Sequence, residues 1–415
     1  MLRQCVSCWL LIQRLNDNIH AELGIESTLP GLRLYSYIEL HSLFYRAVRK
    51  VFVYANRLVD AVARLPKRYL AGPTVRLVGP RILGPKALSF SESRDKPHIL
   101  ILRNKFYSRP SDQPSTEEFH LDHTLTASKL ATFEVLTYDH DLLISPLSDL
   151  QLIAKCQDIR PDAIVLSSWW LAPRQPSIDS LKFIREKLGI RIAAIWWDTC
   201  SDTFWRALQP LMKQFDAHVI IDNPSLHYID QGDPFSQRIL PLWPPQDESL
   251  FFPGVTRDIP VSFLGQVSSY RSYRSEVIDY LIDRQIPGQF LTNDRHKQVS
   301  HAVYADVMRR SKISLNFSYS VSCQQLKSRV LEVMLSGAML LESENDQTSQ
   351  LFTPMKDYVP FGSKEDLVDR IRYYLRNENE MMAIARQGRL TAIKNYSSDR
   401  FWRLLLGKLE LIDSE

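Results

Sequence analysis

The chain has 415 residues, of which 45% are hydrophobic and 24% are charged, and its formal net charge at pH 7 is +4. This composition is typical of a globular protein, and the length favours two or three domains over a single core. The five cysteines are scattered and odd in number, which excludes a disulfide framework and fits a reducing compartment. Cys5 and Cys8 form a CxxC without a second pair at zinc spacing, so we expect no metal site there.

Residues 1–90 form a basic segment with thirteen Lys or Arg and five Asp or Glu. Within residues 34–65, apolar residues recur at threes and fours among arginines, which predicts an amphipathic, basic helix. Such a helix suits the surface of an anionic membrane, or it covers the core or a partner protein; the sequence leaves both open. Nucleic acid is not an expected partner, since no base-stacking or groove-reading module is visible. Four prolines between positions 66 and 85 then mark a linker.

No apolar run in the sequence approaches the roughly 18 residues that a membrane-spanning helix requires. The first twelve residues hold a short apolar run without a small-residue cleavage site, so we expect no signal peptide. The sequence therefore predicts a cytoplasmic protein. A peripheral contact with the inner face of the membrane is left open for residues 34–65.

From Pro97 onward, apolar strands alternate with amphipathic helices, a pattern that predicts βαβ units and a parallel sheet. The predicted strands of this first unit are His98–Leu102, Ala163–Ser167, Ile190–Trp197 and Ala217–Ile221. The predicted helices are Leu125–Leu136, Leu147–Asp158, Ile178–Leu188 and Phe204–Phe215. In such sheets, the functional loops follow the carboxyl ends of the strands.

Tryptophan pairs and an aspartate follow two of these predicted strands. The pairs Trp169–Trp170 and Trp196–Trp197 have rings that suit stacking on an acceptor sugar, or they fill the cleft between two domains. Asp198 is a candidate general base, because desolvation beside aromatic rings raises the pKa and the basicity of a carboxylate. The alternative is that Asp198 caps the helix near Phe204.

A second α/β unit follows a proline-rich connector. It begins with the predicted strand Ile259–Leu264, then Gly265 and a loop rich in serine and arginine. Gly265 lets a ligand approach the backbone, and Arg271 or Arg274 can bind a phosphate through a forked guanidinium. The sequence here matches neither the P-loop nor the GxGxxG fingerprint.

Lys327 and Arg329 stand at the start of a predicted amphipathic helix, and cations beside a helix N-terminus predict an anion site. Glu332 lies three residues after Arg329. It either pairs with that arginine on the helix surface or hydrogen-bonds the hydroxyls of a bound ribose or sugar. Gly337 is predicted to end the helix with a positive φ, and the apolar run Ala338–Leu341 is predicted to be a buried strand. Lys327, Arg329, Glu332 and Gly337 are all counted among the predicted donor-binding residues.

The pattern K-x-R-x-x-E-x-x-x-x-G-x-x-x-L runs from Lys327 to Leu341 and precedes acidic residues. Together with Leu351–Ser397, it resembles the C-terminal half of GT-B glycosyltransferases and is most similar to the spore-maturation CgeB-like group. The resemblance covers Asp258–Trp402 well and Pro97–Pro245 more loosely, whereas residues 1–90 show none. It implies an α/β protein with two Rossmann-like domains that face each other across a cleft, preceded by an N-terminal helical appendage.

The predicted domains follow this resemblance. They are a basic helical appendage with its linker (1–90), an acceptor-side Rossmann-like domain (91–245), a Rossmann-like domain that binds the nucleotide sugar (246–395), and a C-terminal helix that crosses back (396–415).

The resemblance also implies roles for individual residues. In the enzymes that the chain resembles, the glycine at Gly265 and a following arginine touch the donor diphosphate, and Asp198 loosely matches an aspartate of the CgeB-like group. Retaining relatives carry a glutamate eight residues before the one that Glu332 matches, where this chain has Gln324, so the stereochemical outcome stays open. A polar loop touches the donor sugar, and its residues here are Glu342, Asn345, Asp346, Gln347 and Thr348.

These features predict a glycosyltransferase that moves a sugar from a nucleotide-diphosphate donor to a polysaccharide, glycolipid or protein acceptor, with Asp198 and Glu332 as catalytic residues. No DxD motif stands near a predicted strand end, so neither a cofactor nor a metal ion is expected. The alternatives are a nucleotide-sugar epimerase and a non-catalytic scaffold of the same fold. The tryptophan-rich first half counts against the epimerase, which needs no acceptor cleft.

Overall fold

The computed structural model describes nine stretches of the chain. The division of the chain falls after Phe90, and every described residue belongs to the unit Ser91–Glu415. The predicted helix within residues 34–65 lies outside the described part, as do Trp169, Trp170, Asp198 and Arg271. The described stretches are 94–105, 114–137, 149–168, 176–197, 213–220, 234–267, 272–292, 299–318 and 326–413.

The first sheet has six parallel strands in the order β2-β1-β3-β4-β5-β6. Its centre is apolar on both faces, because the run Ile99–Leu102 and its neighbours are buried between helices. The strands are His98–Arg103 (β1), Thr132–Thr137 (β2), Ala163–Ser168 (β3), Arg191–Trp196 (β4), Ala217–Ile220 (β5) and Ile239–Pro241 (β6). Around them lie a π-helical turn, Glu118–His123, and the helices Thr124–Ser128 (α1), Asp149–Ile159 (α2) and Ile178–Leu188 (α3).

The predicted helix Leu125–Leu136 is wrong in its second half. Helix α1 ends at Lys129, which adopts a left-handed φ of 57°, and the chain then forms β2 parallel to β1. The residues of β2, Thr-Phe-Glu-Val-Leu-Thr, are mostly β-branched or aromatic, and such residues favour a strand. The predicted end of α3 is confirmed, since Gly189 follows it with a φ of 69°.

The second sheet has five parallel strands in the order β11-β10-β9-β7-β8. These are Ile259–Gly265 (β7), Gln289–Thr292 (β8), Ser311–Asn316 (β9), Met339–Ser343 (β10) and Val359–Phe361 (β11). The helices are Ser272–Asp283 (α4), His301–Arg310 (α5), Arg329–Leu335 (α6), Asp346–Leu351 (α7), Lys364–Arg376 (α8), Glu378–Tyr396 (α9) and Ser398–Lys408 (α10). Helices α4 and α8 cover one face of this sheet, and α5 and α6 cover the other. Over the stretches described, no helix combines the length and the apolarity needed to cross a membrane.

The last helix, α10, returns to the first sheet. Its residues Phe401, Trp402 and Leu405 are buried in one core cluster with Ile99 and Ile101 of β1. Trp402 has no exposed surface, and its indole Nε1 donates a hydrogen bond to Thr124 Oγ1 at 2.9 Å. The C-terminal helix therefore completes the core of the first Rossmann-like unit, although it follows the second in the chain.

Candidate active site

The carboxyl edge of the second sheet gathers most of the polar residues that the sequence singles out. Strand β7 ends at Gly265, β9 at Asn316 and β10 at Ser343, and parallel strands end on one edge. Helix α6 begins at this edge with Arg329. We call the side chains that meet here the carboxyl-edge cluster, which consists of Tyr304, Asn316, Ser318, Arg329, Glu332 and Glu342.

Arg329 lies at the centre of this cluster. Its Nη1 donates to Asn316 Oδ1 at 2.9 Å, and its guanidinium carbon stands 5.0 Å from the centre of the Phe263 ring. Its Nε is buried and has no hydrogen-bond partner among the described residues. A guanidinium that Asn316 and Phe263 hold in place is suited to bind an anion through more than one hydrogen bond.

Gly265 makes room for this arginine. A Cβ at position 265 would lie 2.7 Å from Arg329 Nη2, closer than real Cβ contacts, and 3.0 Å from Phe263 Cζ, which is tight. Any larger residue at this position would therefore displace the guanidinium from its present place. Sequence reasoning singled out both residues, but it did not reveal that they touch.

Glu332 is 7% exposed and accepts a hydrogen bond from Tyr304 Oη at 2.6 Å. Burial raises the pKa of Glu332, while the hydrogen bond from Tyr304 and the charge of Arg329 oppose that rise. The structure thus favours a buried, hydrogen-bonded carboxyl over the surface ion pair with Arg329. Tyr304, from α5, was not singled out in the sequence, because it lies 28 residues away in the chain.

Glu342 lies within strand β10 and has no exposed surface, so it belongs to the strand and not to the predicted polar loop. It accepts hydrogen bonds from Asn316 Nδ2 at 2.7 Å and from Ser318 Oγ. Burial raises the pKa of Glu342 to about 7, against the lowering effect of these two hydrogen bonds and of the nearby arginines. The carboxyl is thus a buried acid that titrates near neutral pH.

Glu342→Gln is expected to remove a pH-dependent loss of stability. The folded-state pKa of Glu342, about 7, lies above its ordinary value of 4.5, so the folded protein holds this proton more tightly than the unfolded chain does. Its contribution is therefore most favourable at low pH and is lost as the pH rises through that window. Between pH ~4.5 and ~8, the free energy of unfolding of the wild type should fall by on the order of 2 to 3 kcal/mol relative to the variant. Urea titrations at each pH measure the free energy of unfolding of both proteins. A difference between them that stays constant with pH would contradict the prediction.

The residues predicted to follow β10 shape the start of α7. Asn345 caps that helix, since its side-chain oxygen accepts from Gln347 N at 3.0 Å, and Thr348 is fully buried beneath it. Asp346 is exposed at the first helical position. Gln347 is 8% exposed, and its Oε1 is buried without a hydrogen-bond partner in the described part of the chain.

Two predicted ligand residues have other roles in the structure. Arg274 is 3% exposed and donates to the backbone oxygens of Gln266 at 3.0 Å and Phe317 at 2.9 Å. It therefore joins the ends of β7 and β9, and its two terminal nitrogens are not directed at a phosphate. Gly337 has the predicted positive φ, 70°, but it precedes β10 at the amino edge of the sheet, opposite the cluster. It ends a helix and does not reach the candidate site.

Lys327 lies in the turn that opens α6, where its backbone oxygen accepts from Val330 N at 3.0 Å.

The tryptophans at the end of β4 are core residues. Trp196 is 2% exposed, and its Nε1 donates to His218 Nδ1 at 3.0 Å. Trp197 is 8% exposed and donates to Ser167 Oγ at 2.7 Å. Neither ring presents a free face, so their positions do not support stacking on an acceptor sugar. Each indole is buried because its single polar atom finds a partner.

Contacts of the π-helical turn Glu118–His123 with α5 and with the connector after β6 were missed by sequence reasoning. The ring of Phe119 stacks on that of His301, with centres 4.3 Å apart, and His123 Nδ1 lies 2.8 Å from Asp247 Oδ2. His120 is buried, its Nδ1 lies 2.8 Å from the oxygen of Pro245, and burial lowers its pKa to about 4. Phe119 and His123 are four residues apart on one helical face, which was the available signal.

Within the described residues, no group of three or more His, Cys, Asp or Glu side chains is arranged to hold a metal ion.

Comparison with known proteins identifies the class of domain. Residues 258–407 match the family model described as glycosyl transferase-like. No curated protein matches the chain. HepE from Anabaena, solved in complex with UDP-glucose, has a similar structure at 12% identity and a TM-score of 0.54, over 76% of this chain and 100% of that chain.

Two further solved structures are similar. Sucrose-phosphate synthase from Thermosynechococcus elongatus has 11% identity and a TM-score of 0.55, over 76% of this chain and 99% of that one. A glycosyltransferase from Rickettsia africae has 12% identity and a TM-score of 0.54, with the same coverage. The predicted GT-B fold and the predicted enzyme class, a glycosyltransferase, are confirmed by these findings. The resemblance to the CgeB-like group is not confirmed by them and stays a prediction.

Proposed function

We propose that this protein transfers a sugar from a nucleoside-diphosphate donor to a hydroxyl group of a polysaccharide, glycolipid or protein, and that the donor binds at the carboxyl-edge cluster. The observation that carries the proposal is the position of Arg329. Its guanidinium is held by Asn316 and Phe263 beside Gly265, inside the domain that matches the glycosyl transferase-like family. The structure of HepE with UDP-glucose supports this class of donor.

The reaction breaks the bond between the anomeric carbon of the sugar and the diphosphate, so negative charge develops on the leaving group. Preorganised cations stabilise that charge without rearranging during the reaction. Arg329 and Lys327 are the cations that would stabilise the leaving diphosphate here, and we propose that no metal ion is required.

Glu332 is proposed to hold a hydroxyl of the ribose or the donor sugar. Tyr304 Oη occupies one carboxylate oxygen, Oε2, and fixes the orientation of the group. The other oxygen then accepts from the ligand. Asp198 stays the predicted base for the acceptor, and the membrane contact of residues 34–65 likewise stays a prediction.

The proposal is tested by thermal unfolding of the protein with UDP, GDP, CDP, dTDP and their sugars, with and without EDTA. A ligand that binds only the folded state raises the melting temperature by mass action. We expect one nucleotide and its sugar to raise it, unchanged by EDTA. No shift at millimolar ligand would overturn the transferase and favour a scaffold, and a shift lost in EDTA would overturn the metal-free mechanism.

Gly265→Ala is expected to weaken binding of that nucleoside diphosphate at least about tenfold, which is ~1.4 kcal/mol. The added methyl group would occupy the place of Arg329 Nη2 and displace the guanidinium. Calorimetric titration measures the effect. Gly362→Ala is the matched control at the end of β11, because its Cβ would meet only the flexible end of Glu344, at 3.3 Å. Equal affinities for the two variants would contradict the prediction.

A further inference from the structure

One buried amide, that of Asn316, links Glu342 to Arg329. Glu342 accepts from Asn316 Nδ2 at 2.7 Å, and the other end of the same amide, Asn316 Oδ1, accepts from Arg329 Nη1 at 2.9 Å. Both Glu342 and Asn316 have no exposed surface. Glu342 and Arg329 therefore interact through one amide by two direct hydrogen bonds.

The carboxylate decides which way the amide points. An ionised carboxylate only accepts hydrogen bonds, and a guanidinium only donates them. If the amide of Asn316 were reversed, its oxygen would face Glu342 and its NH2 group would face Arg329, so both contacts would become repulsive. Ser318 Oγ donates to the same carboxylate, and Ser318 N donates to Ser343 Oγ at 3.1 Å, which holds the carboxyl in place.

The charged groups around Glu342 support the same arrangement. Arg329 and Arg274 face it and favour its ionised form, and Tyr358 lies near it on the side of β11. Both Nη atoms of Arg274 donate to backbone oxygens, whereas Nη2 of Arg329 lies beside Gly265 at the carboxyl edge of the sheet, so Arg329 is the cation of this pair that is placed toward a ligand.

We infer that Glu342 is a positioning residue, which acts through Asn316 to hold the Arg329 guanidinium in the orientation that binds the donor diphosphate. The inference rests on the proposed function, because it assigns the diphosphate to Arg329. Glu342 itself is buried under the site and does not touch the ligand.

The test compares a nucleoside diphosphate with its parent nucleoside at pH ~8, by calorimetric titration of the full chain. The diphosphate is whichever of UDP, GDP, CDP or dTDP binds the wild type. Glu342→Ala is expected to weaken the affinity for the diphosphate at least about tenfold and to leave the affinity for the nucleoside within about twofold of the wild type. Glu342→Gln should restore most of the affinity, because its amide oxygen can still accept from Asn316 Nδ2.

Asn316→Ala and the double variant Glu342→Ala with Asn316→Ala test whether Glu342 acts through Asn316. Asn316→Ala should give the same selective loss, and the double variant should lose no more than either single one, because both changes break one chain of hydrogen bonds. Glu344→Ala is the matched control, an exposed glutamate two residues along the same stretch, and should change neither affinity. If Glu342→Ala does not fold, Asn316→Ala decides the question.

The outcomes separate the two claims. Equal losses for diphosphate and nucleoside, additive effects in the double variant, or no loss in either single variant would each overturn the role of Glu342. A wild-type protein that binds none of the four diphosphates would overturn the proposed function, and the positioning role with it.

Discussion

Arg329→Ala is expected to weaken binding of the nucleoside diphosphate about 30- to 100-fold, the largest effect that we expect from a single change in the candidate site. The loss removes charge-assisted hydrogen bonds, each of which contributes ~1.5–3 kcal/mol. Arg329→Lys should recover only part of the affinity, because an ammonium cannot form the two parallel hydrogen bonds of a guanidinium. Calorimetric titration of the folded variants provides the measurement.

The control for this experiment is Arg386→Ala. Arg386 is an exposed arginine of α9 in the same domain, so the net charge changes equally while the candidate site is untouched. We expect its affinity to stay within about twofold of the wild type. If the two alanine variants bind equally well, the diphosphate does not bind at Arg329.

Trp402→Ala is expected to reduce the free energy of unfolding by about 3–5 kcal/mol, the cost typical of truncating a large buried aromatic residue. The side chain is fully buried, and the change also removes the hydrogen bond to Thr124 Oγ1. Urea denaturation followed by circular dichroism measures the loss. The effect should appear in the first Rossmann-like unit, because α10 packs there.

Arg403→Ala is the neighbouring control. Arg403 is 39% exposed and pairs with Asp399 one turn earlier, and exposed pairs of this kind contribute less than about 1 kcal/mol. A loss below ~1 kcal/mol in Trp402→Ala would show that the first sheet is stable without α10.

The parts of the site that could be predicted are those that depend on neighbours in the chain. Arg329 and Glu332 stand one turn apart on a helix, and the strand that follows them was visible as an apolar run. Gly337 was placed correctly as a helix end, because a positive φ is a local requirement. Its position does not support the predicted contact with the donor, because a helix of seven residues carries the chain from one edge of the sheet to the other.

What could not be predicted is the direction of each side chain. Sequence shows that Arg274 is a cation after a strand, but its two carbonyl partners become known only from the folded chain. Trp196 and Trp197 likewise read as aromatic residues at a strand end, and both turn into the core. The contact of His123 with Asp247 joins residues 124 positions apart, and no local pattern reports such a pairing.

The two crossings of the chain between the sheets are tied to each other. Glu248, in the connector from the first sheet to the second, accepts hydrogen bonds from Ser398 N at 3.2 Å and Ser398 Oγ at 3.3 Å, where the chain returns. The outgoing and returning segments are therefore held together at one place. A rotation of one half against the other would have to pivot near that place, and it would separate the rings of Phe119 and His301.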